Sequence, residues 1–349
     1  SLGIHTRCSV VFESAEIHSQ WSHSWRGKGI GVSPMLRLPE SWVWDSWFVF
    51  DGENHHAFYL RASRALGDPN RRHRRPYIGH AISKDLKNWT VVQDAIAPSD
   101  PPAFDSCTNW TGSVARGDDG MWWMYYTGTS LDNCMYVQTI GAAKSNDLMT
   151  WEKISSEALV SADPAHYAPL DPGKAFDESF RDPWVFKHTD GKWHMLITAR
   201  SKDAELDLKD RGTLGHAISE DMLNWQVQPA LIQGATGFGQ MEVFQVEEVD
   251  GKAVLLWCCG EQELSEASKK KFGTGGMFSV VGDSVLGPFD TSKAVRFDHP
   301  SIYAARIVNH DGAWYMLGFR NEEDGSFVGE LTDPIPVRIE GTGLVNARA

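Results

Sequence analysis

Apolar residues in this chain gather into short runs closed by polar turn residues, with hardly any long stretch at the three-to-four spacing of an amphipathic helix. Five runs stand directly behind an Asp-Gly pair. His56 to Leu60 follows Asp51-Gly52, Met121 to Tyr126 follows Asp119-Gly120, and Lys192 to Thr198 follows Asp190-Gly191. Lys252 to Cys258 and Ala313 to Phe319 follow Asp250-Gly251 and Asp311-Gly312. The pairs recur at intervals of 68, 71, 60 and 61 residues. Asp-Gly favours a two-residue hairpin because a type I′ turn needs positive φ at both central positions. Each pair therefore predicts a strand, a turn and a strand, and five in register predict one sheet unit used five times.

A second element repeats with the first. Gly79-His80-Ala81-Ile82-Ser83-Lys84-Asp85-Leu86-Lys87-Asn88-Trp89 recurs as Gly141 to Trp151 and again as Gly215 to Trp225, while the fourth unit keeps only a degenerate form from Val281 to Phe289. Its pattern is a strand, a tight polar turn and a Trp opening the next strand. Asp324-Gly325 falls outside the period and reads as an ordinary loop. Four strands per unit, repeated radially, predict an all-β chain folded as a five-bladed β-propeller of four-stranded antiparallel blades. The propeller is expected over residues 41–349. Residues 1–40 form no blade and read as an N-terminal arm that covers the propeller or pairs with its last blade.

The candidate chemistry lies at the start of each innermost strand. Eight residues before the Asp-Gly aspartate stand Thr111, Asp182, Glu242 and Tyr303 in units two to five; unit one has Asp45, six residues before, on the same side of the strand by parity. The longer connections (61–76, 95–109, 155–180, 200–212, 230–240 and 260–276) fall on the same face, where long loops are usually functional. One acid at a strand start is ordinarily solvated or capped. Three at one level of a funnel repel one another and raise one another's pKa, so folding alone gives no reason to gather them. Glycoside hydrolysis does, because it needs a carboxylate and a carboxylic acid flanking the anomeric carbon.

These residues carry a family resemblance. Trp44-Asp45-Ser46-Trp47 resembles the nucleophile motif of the levansucrase family, and Asn109-Trp110-Thr111-Gly112-Ser113 is similar to the Trp-Ser-Gly-Ser stretch of the fructosyl-transferring families 32 and 68. Phe180-Arg181-Asp182-Pro183 matches their Arg-Asp-Pro motif, and Gln240-Met241-Glu242-Val243 stands in the place of the general acid/base. The resemblance implies Asp45 as nucleophile, Asp182 as transition-state stabiliser and Glu242 as acid/base in a retaining β-fructofuranosidase, with fructosyl transfer as a second outcome. It places Trp44 and Trp110 at the floor of the sugar site and Ser113 against Asp45. Arg181 would fix sugar hydroxyls and the carboxylate, with Gln240 as a further hydroxyl contact. The chain departs from the family-32 Asn-Asp-Pro and Glu-Cys forms and from the levansucrase Asp-Glu-Ile-Glu-Arg form, and its length leaves no room beside five blades for the C-terminal β-sandwich usual in family 32. The competing readings are an inverting arabinofuranosidase or xylosidase of the family-43 type and a sugar-binding propeller without catalysis.

Bulk properties narrow the partners. A net charge of −13 argues against nucleic acid and anionic membranes, and no apolar run approaches the 18 residues of a spanning helix. No Cys/His spacing resembles a zinc site, so neither metal nor cofactor is expected and the partner is a small carbohydrate. The five cysteines are an odd number, and Cys258-Cys259 stand adjacent in an apolar strand where side chains diverge. Free buried thiols follow, and with them a reducing, cytoplasmic location. The Ser1 start suggests that an upstream segment was removed. Most tryptophans, Trp89, Trp151 and Trp225 among them, are expected to pack blades, and the histidines show no clustering beyond His55-His56. Arg71-Arg72-His73-Arg74-Arg75, in the first long loop, reads as a solvated run. At the active-site face its alternatives are contact with an anionic leaving group or with an acidic neighbouring subunit in a homo-oligomer.

Overall fold

The strand behind each Asp-Gly pair is the second strand of an antiparallel sheet, and there are five such sheets. The computed structural model describes residues 36–348 apart from Pro172. Blade one comprises β1 (Ser41–Phe50), β2 (His55–Ser63), β3 (Tyr77–Ser83) and β4 (Thr90–Val91). Blade two holds β5 (Thr108–Arg116), β6 (Trp122–Thr129), β7 (Thr139–Ser145) and β8 (Glu152–Lys153). In blade three are β9 (Phe180–Lys187), β10 (Trp193–Arg200), β11 (Gly212–Ser219) and β12 (Gln226–Gln228). Blade four follows with β13 (Glu242–Val249), β14 (Lys252–Cys259), β15 (Gly276–Gly282) and β16 (Val295–Arg296). The innermost strands close a ring: β1 packs on β5, β5 on β9, and β9 on β13, while β17 (Ile302–His310) of blade five touches both β13 and β1. The five-bladed propeller read from the repeats is therefore the fold.

Blade five departs from the four-strand plan. Asp324-Gly325, read above as an ordinary loop, is a hairpin turn with φ of 51° and 74° joining β18 (Ala313–Glu323) to β19 (Ser326–Leu331). The added β19 lies against β1, and the Leu331 N–H donates to the Leu36 carbonyl at 3.1 Å. The chain then returns through β20 (Ile335–Glu340) and β21 (Gly343–Asn346), β20 pairing with β18. Of the expected N-terminal arm, residues 1–35 lie outside the described part. Leu36 and Leu38 pack with Leu317 and Leu331 of the last blade.

The Asp-Gly turns fall into two kinds. Asp250 and Asp311 have positive φ together with their glycines, as a type I′ turn demands. In blades one to three only the glycine does, and the aspartate instead accepts backbone N–H groups: Asp51 from Glu53 and Asn54, Asp119 from Met121, Asp190 from Lys192. The second repeat is explained in atomic detail. Asp85, Asp147 and Asp221 each accept two backbone N–H groups, and Leu86, Leu148 and Met222 take φ of 61°, 63° and 66°. Trp89, Trp151 and Trp225 then donate their indole N–H to the carbonyls of those three residues at 3.0–3.1 Å. These tryptophans pack the blades, as expected.

The histidines cluster more than their spacing suggests. His56 bonds His80 at 2.8 Å and Asp51 at 3.0 Å; His194 repeats this with His216 at 2.9 Å and Asp190 at 3.0 Å. Both ladders tie the second and third strands of a blade to its Asp-Gly turn. In blade three, His188 joins Asp190 and His194.

Candidate active site

Every innermost strand slips register at the same level. The slip falls at Asp45 in β1 and at Thr111 in β5. It follows Arg181 in β9, Glu242 in β13 and Tyr303 in β17. A β-bulge leaves a residue unpaired, bends the strand and re-aims side chains, and bulges concentrate beside active sites. Asp182, Val243 and Ala304 take φ of 59°, 58° and 44°, a costly region for Val above all. Gly112 is required beside its bulge, because a Cβ there would lie 2.0 Å from the Tyr125 carbonyl oxygen.

The bulges turn these residues into one cavity of 690 Å³. Asp45, Asp182 and Glu242 line it with Arg181, Trp44 and Trp110, and long-loop residues form its wall, as the connectivity predicts. Thr111 donates its hydroxyl to Asp45 Oδ2. Asp182 Oδ2 accepts from the Thr198 hydroxyl at 2.8 Å and from the Val243 N–H at 3.2 Å. Glu242 is held at both oxygens, by Arg181 Nη2 on Oε1 and by the Tyr303 hydroxyl on Oε2, each at 2.7 Å. Arg181 Nε also stands 3.5 Å from Asp182, and its Nη1 reaches Gln138, Ser179 and Asp177. One guanidinium thus spans the gap between two of the acids.

Two expected contacts are corrected. Ser113 does not hold Asp45: its hydroxyl oxygen accepts the Val185 N–H at 3.1 Å and staples β5 to β9. Thr111, two residues earlier at the bulge, takes that place. Gln240 does not line the cavity; its side-chain oxygen accepts from Ser179 and Arg181 at 3.0 and 3.1 Å and braces the guanidinium from behind. The basic run also divides. Arg72 and His73 line the cavity, with Arg72 stacked over Trp44 and Phe327, whereas Arg71, Arg74 and Arg75 are exposed. Residues with no role assigned from sequence complete the site. They are Thr111, Tyr303, Thr198 and Asp177, together with Arg306, which is buried and donates to the Val243, Phe244 and Gly112 carbonyls. Thr111 and Tyr303 were visible as members of the matched register that are not acids.

Burial, and then the charge of Asp182, push the Asp45 carboxyl up to about 7, against the hydrogen bond from Thr111. Asp45 is half-buried and lines the cavity. Burial also raises Asp182, against the pull of Arg181. It lowers His73 to about 4, leaving that ring neutral at pH 7. A group that must be ionised to react and whose pKa is raised loses activity as pH falls through that raised value. The acidic limb of kcat/KM is therefore expected above the ordinary carboxylate range. Thr111→Val removes a bond to the charged form and should move the limb to higher pH, while Thr111→Ser should leave it in place. A limb unmoved in Thr111→Val would assign it to another group.

The arrangement offers an ionisable carboxylate, a second acid fixed at both oxygens and a third beside them, around a space open at one end. Known proteins resemble this chain in sequence and fold. The model of the glycosyl hydrolases family 32 N-terminal domain matches residues 42–328. An insoluble β-fructofuranosidase isoenzyme of Arabidopsis thaliana is 27% identical over 287 residues, covering 76% of this chain and 50% of that protein. A cell wall β-fructofuranosidase isozyme of Pisum sativum is 28% identical over 266 residues, covering 70% and 44%. The chain thus spans about half the length of the curated relatives it matches. Among solved structures, the inulosucrase of Halalkalicoccus jeotgali bound to kestose superposes with a TM-score of 0.71 at 21% identity, covering 91% of this chain and 93% of that one, a likeness of fold. The expected cytoplasmic location is overturned: these plant relatives are cell-wall and insoluble isoenzymes, and Cys107 and Cys134, read as free thiols, form a disulfide of the kind that oxidising compartments maintain. Cys258 and Cys259 are free and buried, as expected. With a match that reaches into all five blades and takes in every member of the bulge register, the chain belongs to glycosyl hydrolase family 32.

Proposed function

We propose that this chain is a retaining glycosidase that cleaves β-fructofuranosidic bonds in sucrose or fructo-oligosaccharides, and passes the fructosyl unit to an acceptor sugar when one displaces water. The observation that carries this reading is the cavity in which Asp45 sits at a bulge while Glu242 is fixed at both oxygens on another blade. Asp45 attacks the anomeric carbon, forming a carboxylate–carbon bond as the bond to the leaving oxygen breaks. Glu242 gives its proton to that oxygen. In the second step Glu242 takes a proton from water, or from an acceptor hydroxyl, whose oxygen displaces Asp45 and restores both carboxyls. Asp182, its oxygen oriented by Thr198 and the Val243 N–H, stabilises the oxocarbenium-like sugar. Arg181 ties Asp182 to Glu242, so the stabilising and proton-transferring groups keep a fixed separation. Trp44 and Trp110 pack on the apolar faces of the sugar.

Incubation with sucrose, levan, inulin and aryl arabinofuranosides, reading the released sugars, tests the reading. Fructose from the fructosides is the expected result. Pentose release alone would move the chain to the family-43 chemistry, and binding without release would make it a sugar-binding propeller.

A further inference from the structure

Two large aromatic side chains stand in the open beside the catalytic cavity. Phe176 is 61% and Tyr136 45% exposed, and their rings meet edge to face with centroids 5.9 Å apart. Among the described residues this is the one contact between two exposed aromatic rings. Single exposed apolar residues are ordinary; a paired aromatic surface beside a cavity marks a binding face. Phe176 and Met135, the neighbour of Tyr136, both line the cavity, so the pair is continuous with the site rather than a separate patch.

The pair is also rigidly carried. Tyr136 comes from the β6–β7 connection and Phe176 from the β8–β9 connection, and the Glu178 N–H joins the two by donating to the Tyr136 carbonyl at 2.8 Å. The Cys107–Cys134 disulfide ties the first connection to the start of β5. Gln138 donates to the Met135 carbonyl at 3.2 Å, and its own oxygen accepts from Arg181 at 3.0 Å. Asp177, next to Phe176, accepts from Arg181 and Arg200. The aromatic pair therefore stands on the same frame that positions Glu242. Anchoring the backbone on that frame reduces what a ligand must order, which favours a preorganised subsite.

We infer that Phe176 and Tyr136 form a rim subsite for the outer sugar units of a fructo-oligosaccharide, making the protein favour longer chains over the disaccharide. The inference rests on the fructosidase reading above. Sugar rings present apolar C–H faces that pack on aromatic rings, and a polar edge that the Tyr hydroxyl can meet. The reacting bond lies at the floor, where Asp182 is buried. The aromatic pair lies at the exposed lip of the same cavity, where sugar units beyond the reacting bond would sit.

The test compares kcat/KM for sucrose and for a linear fructo-oligosaccharide of four or five units in wild type, Phe176→Ala, Tyr136→Ala and Phe176→Tyr. The oligosaccharide-to-sucrose ratio should fall about tenfold in each alanine variant, mainly through KM, on the scale of one lost aromatic contact. Phe176→Tyr should restore it. Thermal unfolding should be nearly unchanged, because both side chains are exposed. An unchanged ratio in an active enzyme, or equal losses on both sugars, would overturn the subsite and leave the fructosidase reading intact. Wild-type protein inert on both sugars would overturn the fructosidase reading, and the subsite with it.

Discussion

Asp45→Ala should abolish turnover of every fructoside, by about 10⁵-fold or more, the scale on which enzymes lose rate when a covalent nucleophile is removed. The loss should not depend on the leaving group, because no fructosyl–enzyme bond can form whatever departs. Folding should survive. Burial and the charge of Asp182 both disfavour an ionised Asp45, so removing its carboxyl relieves repulsion rather than breaking a support. Initial rates on sucrose and on an aryl fructoside, beside a thermal melt at neutral pH, check both halves. A general base supplies typically about 10²–10⁴-fold. A residual rate inside that range, with an unchanged melt, would mean that Asp45 activates water and does not attack the sugar.

Glu242→Ala should separate the two steps. Losing the proton donor should slow cleavage of sucrose by about 10²–10⁴-fold. It should slow an activated aryl fructoside far less, because an acidic phenol leaves without protonation. The fructosyl–enzyme would then accumulate for want of a base, and added azide, which needs none, should speed its breakdown. The ratio of rates on the two substrates, with and without azide, is the readout. Equal losses on both substrates and no azide effect would remove Glu242 from the acid/base role and leave it as a partner of Arg181 and Tyr303.

The fold was legible because the same local chemistry recurs. Asp-Gly turns and the Ser-x-Asp-Leu turn each have a backbone reason to exist, and five occurrences in register leave few alternatives to a propeller. The site was legible to the extent that it follows the same register. Asp45, Asp182 and Glu242 stand where matched counting puts them. The matched offsets conceal two geometries, however. In blades one to three the residue lies five positions before the strand end and stands in the bulge, and in blades four and five it lies seven before the end, just ahead of the bulge. The bulge brings both to the cavity.

The errors come where the strands bulge. The family resemblance put Ser113 against Asp45. The bulge at Thr111 instead brings Thr111 to Asp45 and turns Ser113 onto β9. Attention to carboxylates alone hid Tyr303, although it occupies the equivalent position and fixes Glu242. The His80 and His216 ladders were signalled by their identical places in the Gly-His-Ala-Ile-Ser repeat. Their strand partners and the turn aspartates become visible only once the register is known. Nothing in spacing announces the Cys107–Cys134 pair, which joins two connections brought side by side by blade two. The location inferred from free thiols fell with it.

Stereochemistry tests the double displacement most directly. With methanol present as acceptor, the first-formed methyl fructofuranoside can be identified by NMR before any free fructose equilibrates. Attack by Asp45 followed by attack of methanol inverts the anomeric carbon twice, so the account predicts the β-fructofuranoside, with the configuration of the substrate retained. An α-fructofuranoside as the initial product would mean a single displacement by the acceptor, with Asp45 as base, and would contradict the account.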